Sequence, residues 1–528
     1  MSRDTKLYTT LFLLAIFALN IFANGPFDIW PVAWILPVLL IIYLHSHGRW
    51  FNWLILGLIL GISSRIGNPG VLPLPSPFAE VFILFSAYTF LIPFALDRAF
   101  RKRIDDFRST LILPTAMVAV EFAGASLGPW GTWGATANTQ IDLLIFAQLA
   151  SVAGLSGISF IIYWTASSSI YMWEHRGRFS AIRNYAISFS MLLVLVFVYG
   201  AYRLTTTPAS ENIRSAAVLV SNLDMMKSIY QDHTGKTLEI TETVGQADPA
   251  AMQVGPAMLA FIETPDAPAF ESTRVTLRRI EDESFALALK AVNRGAKMIS
   301  WYEGQFLGFE TDASRLIERA RTFAREHKVM LFTPMAVLTP GKVTPGMPFM
   351  KNQIVVINAN GEVEYTYHKA KPVGGVEPVV AGDGVIPIIH YDDVRISPVI
   401  CYDADFPSLL LQTGRKGSDI VIIPSGDWHA IRQVHMNMAR FRAIENATNV
   451  LRPASRGISA VIDSRGRIVS SMDYFSSAER LMIADVPTQG DTSIYSRIGE
   501  SFAWLSMFAL VLLWGSYFIR PATTKSRG

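Results

Sequence analysis

One cysteine in 528 residues rules out an internal disulfide framework, whichever compartment the chain occupies. Charge is scarce as well. Asp, Glu, Lys and Arg make up 17% of the chain against 51% apolar residues, too apolar a balance for an ordinary soluble enzyme. The net charge of +3 is small and dispersed, so no nucleic-acid partner is expected. The nine histidines form no HExxH pattern, and a paired CxxC is impossible with one cysteine. His429 and His435 stand six positions apart and do not share a helix face, so no metal site is expected. No Walker-type or dinucleotide glycine motif occurs, and no cofactor is expected. Internal repeats and long low-complexity tracts are missing too.

What the chain has in quantity is apolar segments of near-bilayer length. Seven fall in residues 1–204, near Tyr8–Ala23, Ile29–Leu44, Trp50–Ile66, Ala79–Leu96, Thr110–Leu127, Leu143–Trp173 and Tyr185–Tyr202, and an eighth, Phe502–Ile519, comes near the C-terminus. Most approach the roughly 20 residues that a bilayer core requires. The first does not read as a removable signal peptide, because hydrophobic segments continue after it and no small-residue cleavage pattern stands out. Basic residues gather at alternate junctions: Arg3 and Lys6; Arg49; Arg98, Arg101, Lys102 and Arg103; Arg176, Arg178 and Arg183; and Arg520, Lys525 and Arg527. With eight spans all of them fall on one side, cytoplasmic by the positive-inside rule.

The expected architecture is a helical membrane bundle with an extracytoplasmic domain. Residues 1–204 supply seven spans, residues 205–500 the domain, and residues 501–528 the last span and a cytoplasmic tail. In a bacterial inner (cytoplasmic) membrane, the domain faces the periplasm. Within the fifth span, Glu121 is a carboxylate where one is costly, hence a candidate for function. Snorkelling, or a hydrogen bond to the Trp130–Trp133 loop, is the structural alternative. The small residues between Gln148 and Phe160 suit close helix packing.

Residues 205–500 alternate strand-like and helix-like stretches, the pattern of an α/β domain. Thr241–Ser272 and Thr339–Met350 read as loops carrying apolar residues, among them Met252, Met258, Phe261, Phe270, Met347, Phe349 and Met350. Such loops suit the covering of a site entrance or contact with lipid. The helix-like stretch His435–Asn449 reads as a packing element. The sole cysteine follows the apolar run Val394–Ile400, a short buried strand that delivers Cys401 where polar residues begin.

A lone cysteine is by default a small buried hydrophobe, but two other strand ends argue against that here. Strand-like Ala296–Tyr302 leads to Glu303, and strand-like Tyr365–His368 leads to Lys369, with Glu377 eight residues on. A thiol is mostly protonated at neutral pH, so it needs a base such as a carboxylate. A fixed ammonium then stabilises both the thiolate and the oxyanion of a tetrahedral intermediate. Glu303, Lys369 and Cys401 are therefore the candidate catalytic residues. Glu377 is a candidate to hold Lys369 or bind an incoming amine, and Tyr402 and Trp428 are candidates to line the pocket.

From about Asn212 to Asp485 the chain resembles the nitrilase, or carbon–nitrogen hydrolase, superfamily. The resemblance is carried by Glu303, Tyr367-His-Lys369, Glu377-Pro378, Ile400-Cys-Tyr402, Pro424-Ser-Gly-Asp-Trp428 and the Met438–Asn446 stretch. The branch it most resembles is that of the apolipoprotein N-acyltransferases, through Glu121, Trp130 and the Gln148–Phe160 run. It departs from that branch at Tyr302 and Gly304 around the glutamate, at Gly374-Gly-Val before Glu377, and at Asp403-Ala-Asp after the tyrosine.

The resemblance implies two sheets between helix layers, a Glu-Lys-Cys triad, and acyl transfer by way of a cysteine thioester. The donor it implies is a membrane phospholipid, and the acceptor is the N-terminal amine of a diacylglyceryl-cysteine lipoprotein. The alternatives are a membrane-tethered amidase or nitrilase hydrolysing a small amide, or acylation of a different amine. The topology is open to direct measurement: reporter fusions at Lys102 and Lys297 should report opposite sides of the membrane, and both on one side would refute it.

Overall fold

The computed structural model describes residues 3–101, 104, 106–206, 210–243, 252–344 and 346–519. Lys102, Arg103, Arg520, Lys525, Arg527 and residues 244–251 of the first expected loop lie outside them. The chain divides into two compact units, Met1–Thr206 with Ile498–Gly528, and Thr207–Arg497.

The first unit is helical, with long helices at Arg3–Ile21, Val32–Ser46, Trp50–Gly67, Phe78–Arg101, Ile112–Leu127, Ala150–Glu174, Phe179–Thr205 and Ser501–Ile519. By length and apolarity, five segments suffice to cross a bilayer: Trp50–Gly67, Phe78–Arg101, Phe107–Leu127, Ala150–Glu174 and Ile182–Thr205. Leu7–Ile21, Val32–Ser46 and Ser501–Gly515 are apolar but shorter. Large apolar side chains point outward at Leu54, Leu58, Ile62, Val194, Leu195, Val198, Leu505 and Phe508, as lipid-facing helices require. Leu36, Leu40, Leu60, Leu91, Phe94, Met117 and Tyr163 pack inward. Polar groups in the interior form pairs: Asn20 donates to Ser63 Oγ at 2.8 Å and to the Leu60 carbonyl at 3.1 Å, and His45 meets Asp97 at 3.0 Å, while Asn138 Oδ1 is buried without a hydrogen-bond partner among the described residues. Such pairing is necessary where no water competes.

The segment Leu143–Trp173, expected as one continuous span, is broken. A short helix, Leu144–Ala147, precedes Ala150–Glu174, and Gly154 inside the latter has φ 62° and ψ −167°. Only glycine adopts that geometry cheaply, so the small residues here make a kink as well as a packing face.

The second unit holds two main sheets. The first is built from β1 (Asn212–Val218), β2 (Met298–Trp301), β3 (Phe306–Gly308), β4 (Met330–Leu338), β5 (Met350–Ile357), β6 (Val363–His368) and β15 (Leu481–Pro487). Its order is β15-β1-β2-β4-β5-β6, with β3 beside β4. The second contains β7 (Ile389–Tyr391), β8 (Val394–Pro398), β9 (Ile420–Ile422), β11 (Asn449–Arg452), β13 (Ile458–Ile462) and β14 (Ile468–Asp473). Its order is β14-β13-β11-β9-β8-β7. The parallel pair β10 (Ser425–Gly426) and β12 (Ala454–Ser455) stands apart.

Strands β2, β4, β9 and β11 are buried at every position, which requires cover on both sheet faces. Helices Glu271–Asn293 and Glu310–His327 supply Phe285, Ala288, Leu316, Ala320 and Ala324 to the core of the first sheet. Trp301, fully buried, packs against Phe285 and Phe306 with ring centroids 5.5 and 5.2 Å away. Truncating a buried aromatic of this size typically costs about 3–5 kcal/mol, and this one anchors the strand that ends at Glu303.

The stretch 241–272 is not a loop throughout. Val254–Glu263 is a helix whose Phe261 and Ala257 are buried against Phe270 and Ile229. Phe349 and Met350 pack on the same cluster, whereas Met252 and Met347 are exposed. Pro256 lies in the first turn of this helix, where proline is tolerated.

In the helical unit, a Cβ on Gly200 would collide with the Ile145 carbonyl oxygen. Gly200→Ala should therefore force two backbones apart and cost about 1–3 kcal/mol. It should read as a lowered thermal midpoint of the detergent-solubilised protein; an unchanged midpoint would contradict this close approach.

Candidate active site

Three strand ends in the second unit bring the candidate residues together. Glu303 follows β2 and Lys369 follows β6, both in the first sheet; Cys401 follows β8 in the second. The Glu303 turn is clamped to the end of β1. Tyr302 donates its hydroxyl to the Val220 carbonyl at 3.0 Å, and Gln305 Oε1 accepts the Val220 N–H at 2.9 Å.

The Lys369 ammonium is fully buried between two carboxylates, 2.7 Å from Glu303 Oε1 and 2.7–2.8 Å from Glu377. Glu303 has further donors: Asn352 Nδ2 reaches Oε1 at 2.8 Å, the Gly426 N–H reaches Oε2 at 2.9 Å, and the Cys401 thiol hydrogen-bonds to the same carboxylate. Glu377 also takes the Val373 N–H at 3.1 Å. Asn352 carries no sequence signal for this role, and Gly426 appears in the sequence only within the Pro424–Trp428 motif, with no role attached to it.

Cys401 is 6% exposed, with a backbone φ of 47°, a left-handed conformation that costs a non-glycine residue free energy and marks a constrained turn. Its N–H is committed to the Pro424 carbonyl at 2.9 Å. The turn is held by Asp403, which is fully buried. Asp403 Oδ2 accepts from the Ile400 N–H at 3.0 Å and the Tyr367 hydroxyl at 2.9 Å; Oδ1 accepts from the N–H groups of Ala370 and Lys371 at 3.0 and 2.7 Å. One carboxylate thus ties the cysteine turn to the strand end that carries the lysine. In the sequence Asp403 registers only as a departure from a family pattern.

Electrostatics set the resting protonation. Burial alone would raise Glu303, but the adjacent Lys369 ammonium outweighs it and holds the carboxyl below its ordinary value. Burial would likewise discharge Lys369, yet Glu303 and Glu377 hold it well above the ordinary lysine value. Glu377 goes the other way: burial dominates and raises it. The Cys401 thiol is pushed well up by burial and by the Glu303 charge. At rest the site therefore holds a thiol, an ionised Glu303 and an ammonium, a base poised beside its proton donor.

Behind the cysteine, His435 Nδ1 bonds Asp427 Oδ1 at 2.6 Å, its Nε2 lies 3.3 Å from Asp405, and Arg452 donates to Asp427 at 2.9 Å. Burial would lower His435, but Asp405 and Asp427 carry it up to about 9. The helix Arg432–Asn446, which reads from sequence as a packing element, therefore also delivers a charge to the neighbourhood of Cys401. Cys401, Asp427 and His435 place possible ligand atoms within 4.8 Å of one another, the one such group among the described residues. The Arg452 guanidinium on the same carboxylate opposes a cation there.

A cavity of about 310 Å³ opens onto Glu303, Glu377 and Asn352, with Leu223, Met225 and Met226 as its apolar wall. Tyr402 packs edge-on to Phe406 at 5.3 Å, and neither it nor Trp428 is among the cavity-lining residues. Glu121 belongs to the helical unit. Its carboxylate accepts from the Thr136 N–H and hydroxyl at 3.0 and 2.7 Å and from Ser159 at 2.6 Å, partners beyond the Trp130–Trp133 loop.

An acid–thiol–ammonium assembly shared by two sheets is the chemistry of carbon–nitrogen bond enzymes, and residues 233–492 match the carbon–nitrogen hydrolase family. Residues 17–168 match the apolipoprotein N-acyltransferase N-terminal domain. Together these matches span most of the sequence, and the chain belongs to the apolipoprotein N-acyltransferase family of the nitrilase superfamily. The apolipoprotein N-acyltransferase of Geobacter metallireducens is 25% identical across 90% of this chain and 88% of its own length. Apolipoprotein N-acyltransferase 1 of Leptospira interrogans is 22% identical across 99% of both. Among solved structures, an amidase from Nesterenkonia AN1, of the nitrilase superfamily, aligns with 53% of this chain and 93% of its own at 16% identity and a TM-score of 0.36.

Asp403→Asn tests the turn. An amide keeps one acceptor oxygen and turns the other into a donor, so about half of the four buried donors lose their partner, at about 1–3 kcal/mol each. The variant should fold with a lowered thermal midpoint, and its Cys401 should react at least about tenfold more slowly with an acyl donor. Unchanged reactivity would show that the turn holds without this carboxylate.

Proposed function

We propose that this protein transfers an acyl chain from a membrane phospholipid, through a thioester on Cys401, to the N-terminal amine of a diacylglyceryl-cysteine lipoprotein at the outer face of a bacterial inner membrane. The observation that carries the reading is the buried Cys401–Glu303–Lys369 assembly beside a cavity with an apolar wall, in a chain of this family. Transfer without a nucleotide needs a donor that is already activated, and a phospholipid ester is one that a membrane supplies.

Glu303 takes the thiol proton as the Cys401 sulfur attacks the ester carbonyl. As the carbon–sulfur bond forms, the carbonyl π electrons move to the oxygen, where negative charge develops. The Lys369 ammonium, held in place by two carboxylates, faces that charge without having to reorganise. The N–H of Tyr402, next in sequence to the nucleophile, is the proposed backbone donor. The carbon–oxygen bond breaks, the proton passes from Glu303 to the leaving lysophospholipid oxygen, and a thioester remains. The acceptor amine attacks it, Glu303 receives the amine's proton, and the carbon–sulfur bond breaks with that proton returned to sulfur. Glu377 holds Lys369 throughout. An acyltransferase must exclude water while the thioester waits, which suits the depth of Cys401 and the methionine-lined wall.

The test is acyl-enzyme formation. Purified protein given labelled phospholipid and no acceptor should become labelled at Cys401 through a hydroxylamine-sensitive bond, and an acceptor peptide should discharge the label as an amide. Cys401→Ala should abolish labelling. Glu303→Gln should slow it by about 100- to 10,000-fold, and Lys369→Arg by about 100- to 1000-fold, because a planar fork cannot replace a compact ammonium between two carboxylates. If phospholipid never labels the protein while small amides are hydrolysed, the protein is a tethered amidase instead.

A further inference from the structure

The cavity that opens onto Glu303 has a second charged wall, which the reaction outlined above does not use. Arg456 lies there, on the turn between β12 and β13. Its φ is 49°, a left-handed conformation in which glycine or asparagine is the inexpensive choice. The turn itself is tightly seated. A Cβ on the next residue, Gly457, would strike the Asp427 carboxylate, and the Gly457 carbonyl accepts the Tyr474 N–H at 3.0 Å. The backbone therefore fixes where the Arg456 side chain starts.

That side chain is only partly satisfied. Nε donates to the Glu242 backbone carbonyl at 2.9 Å, while Nη2 is buried without a hydrogen-bond partner among the described residues. A buried guanidinium donor left unpaired is costly. The Glu242 carboxylate attracts this charge but makes no hydrogen bond to it: Oε1 takes Ser221 at 2.6 Å, Tyr474 at 3.1 Å and Arg480 at 3.4 Å. Arg480 has a left-handed backbone too, at φ 51°, and lies over the Tyr474 ring at 4.1 Å. Two guanidiniums thus stand near one carboxylate, which hydrogen-bonds Arg480 and not Arg456, so positive charge outnumbers negative among these three groups. At the reactive end the balance is reversed, with Glu303 and Glu377 sharing Lys369.

A ligand that fits this cavity presents an apolar chain to Leu223, Met225 and Met226, a reactive carbonyl to the Glu303 end and an anion to Arg456. We propose that Arg456 is a binding residue for the phosphodiester of the acyl donor, holding the donor so that its ester carbonyl lies at Cys401. A guanidinium fork matches a phosphodiester monoanion as two parallel charge-assisted hydrogen bonds. The inference rests on the acyltransferase reading for the identity of the donor, but not for the presence of the anion site.

Two variants keep the test clear of folding defects. Arg456→Asn removes the charge in a residue that tolerates the left-handed backbone, and Arg456→Lys keeps the charge without the fork. In the first measurement, the full-length protein in detergent is alkylated at Cys401 by iodoacetamide in the presence of glycerophosphoethanolamine, inorganic phosphate or acetate. The diester should protect the wild type, and the concentration it needs should rise by roughly 10- to 100-fold in Arg456→Asn and by less in Arg456→Lys. Equal protection of wild type and Arg456→Asn, no protection of the wild type, or stronger protection by inorganic phosphate than by the diester would each overturn the proposal.

In the second measurement, Cys401 is acylated from labelled phospholipid and from a nitrophenyl ester of the same acyl chain, which has no phosphate. Arg456→Asn should lose roughly 10- to 100-fold in kcat/KM with phospholipid and stay within about twofold of wild type with the nitrophenyl ester. Equal losses on both donors, or a loss confined to discharge onto the acceptor peptide, would overturn it. The two readings fail differently. A wild type that phospholipid never acylates, yet whose diester protection depends on Arg456, refutes the acyltransferase reading and leaves the anion site standing. Phospholipid acylation that is indifferent to Arg456 does the reverse.

Discussion

A fully buried ammonium is the constraint on which the catalytic unit depends. Lys369 has no access to water, and an isolated charge there would carry a penalty of several kcal/mol. Glu303 and Glu377, both within 2.8 Å, make its charge tolerable, and each carboxylate is in turn tolerable because of the lysine. The Glu303 charge faces the thiol. Removing the lysine leaves two buried carboxyl groups without their cation, and removing either glutamate leaves the ammonium with one partner. The geometry of three strand ends is therefore tied to a charge balance, and the fold cannot relax around a missing partner without exposing the site to water.

The helical unit meets the same problem by different means. Glu121 is satisfied by the Thr136 and Ser159 hydroxyls and a backbone N–H, and Thr136 passes the network on to the Tyr163 hydroxyl at 2.8 Å. Hydroxyl relays of this kind can hold a carboxyl in either protonation state, because a hydroxyl both donates and accepts. An ammonium has no such freedom. One unit fixes its charges and the other leaves a carboxyl adaptable.

What could be read from the sequence, and what could not, follows from how local each cause is. Strands ending at Glu303, Lys369 and Cys401 were legible because an apolar run that stops at a polar residue is a local signal. Their meeting in space rests on sheet order, in which β2 and β6 are separated by β4 and β5. Asn352 on β5 and Gly426 on β10 were illegible as partners of Glu303, because nothing local in an amide or a glycine says which distant carboxylate it will meet. The Asp427–His435–Arg452 cluster was missed for a related reason: its members come from a loop, a helix and a strand, and only burial makes them partners. Tyr402 was read as a pocket residue from its adjacency to the nucleophile, but the turn at Cys401 directs it against Phe406. The helix Val254–Glu263 was hidden by residues that punctuate chains in most contexts but begin helices in a few.

The left-handed turn at Cys401 also limits which nucleophiles this scaffold can ever use. At φ 47° a side chain with a single heavy atom beyond Cβ clears the neighbouring carbonyl, whereas a second branch at Cβ crowds it. Serine would fit the same backbone, and under the proposed mechanism it would form an oxygen ester in place of the thioester without any rebuilding of the turn. Threonine would have to break the geometry that Asp403 enforces. Drift toward a hydroxyl nucleophile is therefore open to this chain in one direction only, and it is the peptide backbone, more than the chemistry of sulfur, that closes the other.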